Sequence, residues 1–166
     1  MGTAPCNGFL LRGGRVIDPS QGLDGPFDVW IREGRIAALE PRLALPGVPI
    51  WDVTGWIVCP GFVDLHTHLR EPGFEHKETI ATGTAAAARG GFTCVVCMSN
   101  TRPPIDRPEV LAQVQERIRQ TAAVRVFPMA SLTWEHGQER LSDLASLTEA
   151  VAFTDDAFPV QSAALM

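Results

Sequence analysis

Lysine is almost absent from this sequence: thirteen of its fourteen basic residues are arginine, and Lys77 stands alone. Positive charge is scarce altogether, and nineteen acidic residues set a net charge of -5. That balance argues against nucleic acid or an anionic membrane as the main partner, since either would be repelled. No run of about 18 apolar residues occurs, so no segment is expected to span a membrane. The opening Met1-Gly-Thr-Ala-Pro-Cys6 lacks the basic-then-apolar layout of an export signal. Four cysteines, at 6, 59, 94 and 97, therefore read as reduced thiols of a cytoplasmic protein. There is no Gly-x-Ser-x-Gly elbow, Walker loop or dinucleotide fingerprint, so nothing favours a nucleophilic serine or nucleotide chemistry. Internal repeats and low-complexity tracts are missing too.

What is there is a core-forming chain, 45% hydrophobic and 20% charged. Its 166 residues suffice for one domain or parts of two. Two regimes are visible. From Phe9 to Val58, short apolar runs such as Arg15-Val-Ile and Asp28-Val-Trp-Ile alternate with turn residues, and Glu33-Gly34 predicts a hairpin. Residues 1–59 are thus expected to form a small β-sandwich segment.

From Pro60 onward strands alternate with helices. Gly61–His66 predicts a strand, and Glu78–Arg89 a helix stopped by Gly90-Gly91. Phe92–Met98, apolar and β-branched, has the composition of a strand buried on both faces. Asp106-Arg-Pro-Glu109 offers an N-cap, an early proline and a capping-box glutamate for a helix reaching about Arg119. Val124–Met129 predicts a third strand, Leu141–Glu149 a third helix, Val151–Thr154 a fourth strand, and Gln161–Met166 the start of another helix. Four βα units imply an α/β fold with a parallel sheet. A closed (β/α)8 barrel takes about 250 residues and eight strands, so residues 60–166 are expected to be the first half of a TIM barrel, truncated.

The strongest chemical signal is His66-Thr67-His68 at the end of the first of these strands. Side chains at i and i+2 share a face, so both imidazoles aim together, at the strand end where barrels keep their active sites. Such a pair suits Zn²⁺ and similar divalent ions. Cys94-Val-Val-Cys97 carries no such signal: at i and i+3 of a strand the two sulfurs face opposite ways, and small core residues are expected. His76 and His136 have no partner at ligand spacing, which favours surface or structural roles.

The stretch Pro60-Gly-Phe-Val-Asp-Leu-His-Thr-His-Leu-Arg-Glu-Pro-Gly73 closely resembles the first-strand motif of the amidohydrolase superfamily, and its Arg70-Glu-Pro-Gly extension resembles the dihydroorotase family in particular. Gly90-Gly-Phe-Thr93, Met98-Ser-Asn-Thr-Arg-Pro103 and Phe153-Thr-Asp-Asp156 resemble further motifs of that family, in its order. The resemblance covers essentially the whole chain. It implies zinc-dependent hydrolysis of a cyclic amide, dihydroorotate to and from N-carbamoyl-L-aspartate in pyrimidine biosynthesis, by a metal-activated water.

Carried onto this sequence, the resemblance makes His66 and His68 metal ligands and Arg70 and Asn100 the holders of the substrate carboxylate. Arg70 also shares strand parity with the two histidines if the strand runs that far, and its guanidinium fork matches a carboxylate. Related enzymes bridge two zinc ions with a carboxylated lysine or an aspartate on the fourth strand. No lysine follows Lys77, so the match falls on Asp156, with Asp155 turned away as a structural acid. Ala157 stands where such enzymes tend to have glycine. A positive φ there would cost about 1 kcal/mol.

Complete enzymes of this type take two more histidines and a catalytic aspartate from later strands. No general acid or base is therefore expected in this chain, only part of a two-zinc site, and the chain is expected to be inactive and prone to self-association. Two other readings remain open. One is a different cyclic amidohydrolase, of the allantoinase or hydantoinase type. The other is a non-catalytic relative that scaffolds aspartate carbamoyltransferase.

Overall fold

The computed structural model describes Gly8–Met166. The segment before Gly8, on which the readings of an absent export signal and of Cys6 as a reduced thiol fall, lies outside the described residues. The chain divides into two compact units, the first ending at Pro60 and the second spanning Gly61–Met166.

The first unit is a five-stranded sheet built around β1 (Gly8–Asp18). β2 (Leu23–Arg32) pairs with it antiparallel and β3 (Arg35–Glu40) adds beyond β2, while β4 (Ile50–Asp52) and β5 (Ile57–Val58) pair with β1 in parallel. The Glu33-Gly34 hairpin forms as expected, with φ of 52° and 72°. Two positive φ values in a two-residue loop match the twist of the strands that it joins. A bulge between Leu11 and Gly14 interrupts β1, and the Asp28 carboxylate pins it by accepting from Gly13 N and Leu43 N, both at 3.0 Å. That explains why an acid 4% exposed sits in this sheet. Among the described residues this unit shows one layer.

The second unit is α/β. β6 (Phe62–Thr67), β7 (Phe92–Cys97) and β8 (Arg125–Pro128) form a parallel sheet in that order. The crossovers are α1 (Ile80–Arg89) and α2 (Pro108–Thr121). Thr79 caps α1 and Gly91, at φ 81°, releases the chain into β7. Apolar residues of both helices and of β7 and β8 close on one core, which includes Ile80, Val95, Leu111, Val114, Val126 and Leu147. β7 is the middle strand, and Cys94, Val95, Val96 and Cys97 are all buried, as its unbroken apolar run predicted. β6 lies at the sheet's edge and leaves Val63 and Leu65 exposed. No described helix is long and apolar enough to cross a membrane.

Four sequence expectations are corrected here. Asp106 does not cap α2, whose N-cap is Arg107 without a side-chain bond; Asp106 is buried and accepts Glu135 N at 2.7 Å while pairing with Arg107. The helix predicted over Leu141–Glu149 is reduced to one 3-10 turn, Leu144–Ser146. Ser142, Asp143, Ser146 and Thr148 are weak helix formers, and the Ser146 hydroxyl is spent locally on Asp143 O. The strand predicted at Val151–Thr154 is present only as a parallel bridge between Phe153 and Ala130. Backbone bonds still lay it beside β8, from Val151 N to Pro128 O and from Thr154 N to Ala130 O. Gln161–Met166 makes a turn closed by Leu165 N to Ser162 O, not a helix.

Candidate metal centre and anion cleft

β6 delivers its two histidines on either side of Thr67, whose hydroxyl and carbonyl are both bonded to the β7 end of the sheet. With the backbone so held, the His66 and His68 rings face each other edge-on at 5.2 Å. Thr154 leads the chain back to the same spot, and Asp156 N is bonded to the Thr154 hydroxyl at 2.9 Å. Asp156 takes the left-handed conformation, φ 50°. Ala157 is not among the positive-φ residues, so the cost foreseen there does not arise. The strained position has moved one residue back, onto an aspartate, a residue type that tolerates it.

The result is a cluster of three ligand atoms within 4.8 Å of one another, from His66, His68 and Asp156. His66 Nε2 lies 2.9 Å from one Asp156 oxygen and His68 Nε2 lies 3.7 Å from the other. Ligands at about 2.05 Å around a tetrahedral zinc ion stand about 3.3 Å apart. The observed separations bracket that value, and two imidazoles with a carboxylate are a zinc donor set, so these residues fit the ion. Asp156 is partly buried with its side chain 8% exposed, and His66 faces out with 60% of its side chain exposed.

Asn100 orders the cluster. Its carbonyl oxygen lies 3.1 Å from His68 Nδ1 and its amide donates to Asp156. A carbonyl can only accept, so Nδ1 of His68 carries the proton and Nε2 keeps its lone pair for a metal. One amide hydrogen of Asn100 is left over. Asp155 points away and is buried, accepting from Thr133 N at 3.0 Å and the Thr133 hydroxyl at 2.5 Å, which ties the Asp156 segment to the loop after β8.

Arg70 reaches the site by another route than strand parity. β6 ends at Thr67, and Arg70 has φ 61°. The turn beyond it is tight: at Gly73, φ 94°, a Cβ would lie 2.0 Å from Arg102 O, so only glycine fits the Arg70-Glu-Pro-Gly step. Glu71 is buried and joins Ile80 N at 3.0 Å to Arg117 Nε at 2.7 Å, anchoring the turn to both helices. Arg70 and Asn100 thereby line one cleft of about 220 Å³, together with Phe74, Lys77, Thr101, His136 and Phe158. His136 was not expected there; it stacks on Phe158 with ring centroids 5.1 Å apart, and burial lowers its pKa against the pull of Asp155, Asp106 and Asp156. No spacing signal marks it, because its neighbours in the cleft lie more than twenty residues away in the chain. His76 is exposed beside Phe74, outside the cluster. Cys94 and Cys97 are free, buried core thiols, and burial pushes Cys97 up to about 12.

Comparison with known proteins adds an independent line. A family profile described as "Dihydro-orotase-like" matches residues 55–166. A curated dihydroorotase of Solibacter usitatus is 47% identical over 160 residues, covering 95% of this chain and 37% of that protein. One of Aquifex aeolicus is 42% identical over 160 residues, covering 95% and 38%. Among solved structures, an L-hydantoinase (dihydropyrimidinase) from Arthrobacter aurescens superposes with a TM-score of 0.75 over 87% of this chain and 32% of that one, at 19% identity, a likeness of fold alone. A dihydropyrimidinase from Brevibacillus agri gives 0.69 over 86% and 29%, at 26% identity. The chain spans 37–38% of the length of these curated relatives.

Proposed function

Because the chain belongs to the dihydroorotase-like family, we propose that it carries part of the site of a zinc-dependent cyclic amidohydrolase that interconverts dihydroorotate and N-carbamoyl-L-aspartate. The observation that carries this reading is the convergence of His66, His68 and Asp156 beside a cleft lined by Arg70 and Asn100. In this reading the second unit is the opening half of a (β/α)8 barrel, and the sheet of the first unit is one layer of a β-sandwich. Free thiols at Cys59, Cys94 and Cys97 suit a cytoplasmic setting, and the apolar edge at Val63 and Leu65 suits self-association.

His66, His68 and Asp156 would hold the ion, which when bound supplies Lewis acidity and acidifies water. The chain's own residues position the rest. Asn100 holds His68 in the tautomer that leaves Nε2 free, and Asp155 fixes the direction of Asp156. Arg70 offers two parallel donors to the substrate carboxylate, and the spare amide hydrogen of Asn100 adds another. The hydantoinase reading is weaker: the structures bearing that name share the fold at low identity, while a cleft lined by Arg70 and Lys77 asks for an anionic substrate.

Zinc titration calorimetry tests the proposal on the wild type, a His66→Ala/His68→Ala double variant and Asp156→Ala. Three protein ligands give measurable affinity that falls by more than tenfold in the double variant and less in Asp156→Ala. Unchanged affinity in the double variant would place the metal elsewhere and sink the proposal.

A further inference from the structure

The loop after β8 is bent at a cost that its sequence does not explain. Glu135, His136 and Gln138 all have positive φ, at 54°, 54° and 61°, and none is glycine. Strain of this kind persists only where the surroundings hold it, and here they do. Two guanidinium groups lie over the Trp134 ring, Arg107 at 3.9 Å and Arg140 at 4.5 Å from its centre, and the buried Asp106 accepts Glu135 N at 2.7 Å. What this scaffold delivers is one side chain, the His136 imidazole, into the wall of the cleft shared with Arg70 and Asn100.

The ring is also oriented. His136 Nε2 lies 2.7 Å from the Ser131 hydroxyl, among the described residues the only partner of that fully buried oxygen. Among the described residues the hydrogen of Ser131 has no other acceptor, and a buried donor left unpaired is costly, so Ser131 donates into Nε2. The Ser99 hydroxyl, 3.4 Å from Nε2, donates its own hydrogen to Thr154 O at 2.7 Å and does not compete. The imidazole proton must then sit on Nδ1, for which no partner within the chain is found among the described residues. Arg70, Lys77 and Asn100 line the same cleft with donors, no carboxylate of the described residues lines it, and Phe74 and Phe158 supply apolar walls. A cleft whose charged residues are Arg70 and Lys77, between apolar walls, suits a small anion with a flat apolar body.

We propose that His136 is a further substrate-positioning residue, locked by Ser131 in the Nδ1–H tautomer so that it donates to the carboxylate of the bound ring beside Arg70 and Asn100. The inference rests on the carboxylate-cleft reading above and adds to it a donor from a third segment of the chain. His136 is not one of the three clustered ligands, so its contribution is expected in metal-free protein.

The test is a nuclear magnetic resonance titration of the metal-free 166-residue chain with L-dihydroorotate and with 5,6-dihydrouracil, the same ring without its carboxylate. His136→Phe keeps an aromatic ring against Phe158 and removes the donor. It should raise the dissociation constant for L-dihydroorotate about tenfold, the size expected for one hydrogen bond to a charged group, and change that for dihydrouracil by less than about twofold. Equal changes for both ligands, or none for L-dihydroorotate, overturn the inference. Arg70→Ala separates the two levels: if it weakens L-dihydroorotate while His136→Phe does not, His136 alone is misassigned. If neither matters, or the wild type shows no saturable shift, the carboxylate cleft falls and this inference with it. Nitrogen-15 spectra of the wild-type imidazole need no variant, and an Nε2-protonated His136 overturns the proposal directly.

Discussion

Asp155→Ala is the substitution that probes most sharply how the fold holds the candidate centre, because Asp155 is neither one of the three clustered ligands nor a residue that lines the cleft. Its carboxylate is 6% exposed and accepts two hydrogen bonds from Thr133, one from the backbone N at 3.0 Å and one from the hydroxyl at 2.5 Å. Thr133 is itself fully buried, so water cannot readily replace the lost acceptor. Two orphaned buried donors at about 1–3 kcal/mol each predict a loss of about 3 kcal/mol for Asp155→Ala. Asp155→Asn keeps an acceptor for Thr133 N, and the threonine hydroxyl can turn to accept from the new amide, so about 1 kcal/mol is expected. Urea unfolding followed by circular dichroism measures both. The second readout is zinc affinity. With its anchor gone, the segment carrying Asp156 is no longer tied to the loop after β8, and Asp155→Ala should weaken zinc by severalfold with His66, His68 and Asp156 intact. An Asp155→Ala protein within 0.5 kcal/mol of the wild type by this accounting, or one in which asparagine is as harmful as alanine, refutes the reasoning.

Two further outcomes follow from the titratable groups. Exposed Cys59 should react with iodoacetamide in the native protein while buried Cys94 and Cys97 stay protected until unfolding, since the Cys97 thiol is pushed up to about 12; peptide mass spectrometry reads this, and labelling of Cys97 at the rate of Cys59 at pH 8 contradicts it. His136, its pKa lowered by burial, binds fewer protons folded than unfolded. The stability it contributes is therefore full above the unfolded value near 6.5 and is lost as pH falls through the lower folded value. Unfolding free energies measured from pH 7.5 down to 5 should fall less steeply in His136→Gln than in the wild type, and parallel curves would count against this account.

Local chemistry carried much of the architecture into the sequence. The hairpin at Glu33-Gly34, the helix ending at Gly90-Gly91 and the doubly buried strand from Phe92 each depend on residues within a few positions, where turn propensity and apolar periodicity act directly. The spacing of His66 and His68 is local in the same sense, since side chains two apart at a strand end tend to share a side, although β6 itself stops at Thr67 between them. Tertiary structure decided the rest, because it recruits polar groups over distances no pattern spans. Asp106 could cap its own helix, but burial beside the loop after β8 gives it the Glu135 amide instead. The helix expected over Leu141–Glu149 shrinks to a turn, its hydroxyl residues competing with the helix for the backbone while Leu147 is fully buried in the core. Asn100 joins His68 to Asp156 across 32 and 56 residues, and His136 enters the cleft because Trp134, Arg107 and Arg140 hold a strained loop in place. Residue type and short-range spacing determined which groups could bind a metal or an anion; only the packing of β6, β7 and β8 with their loops brought them within bonding distance of one another.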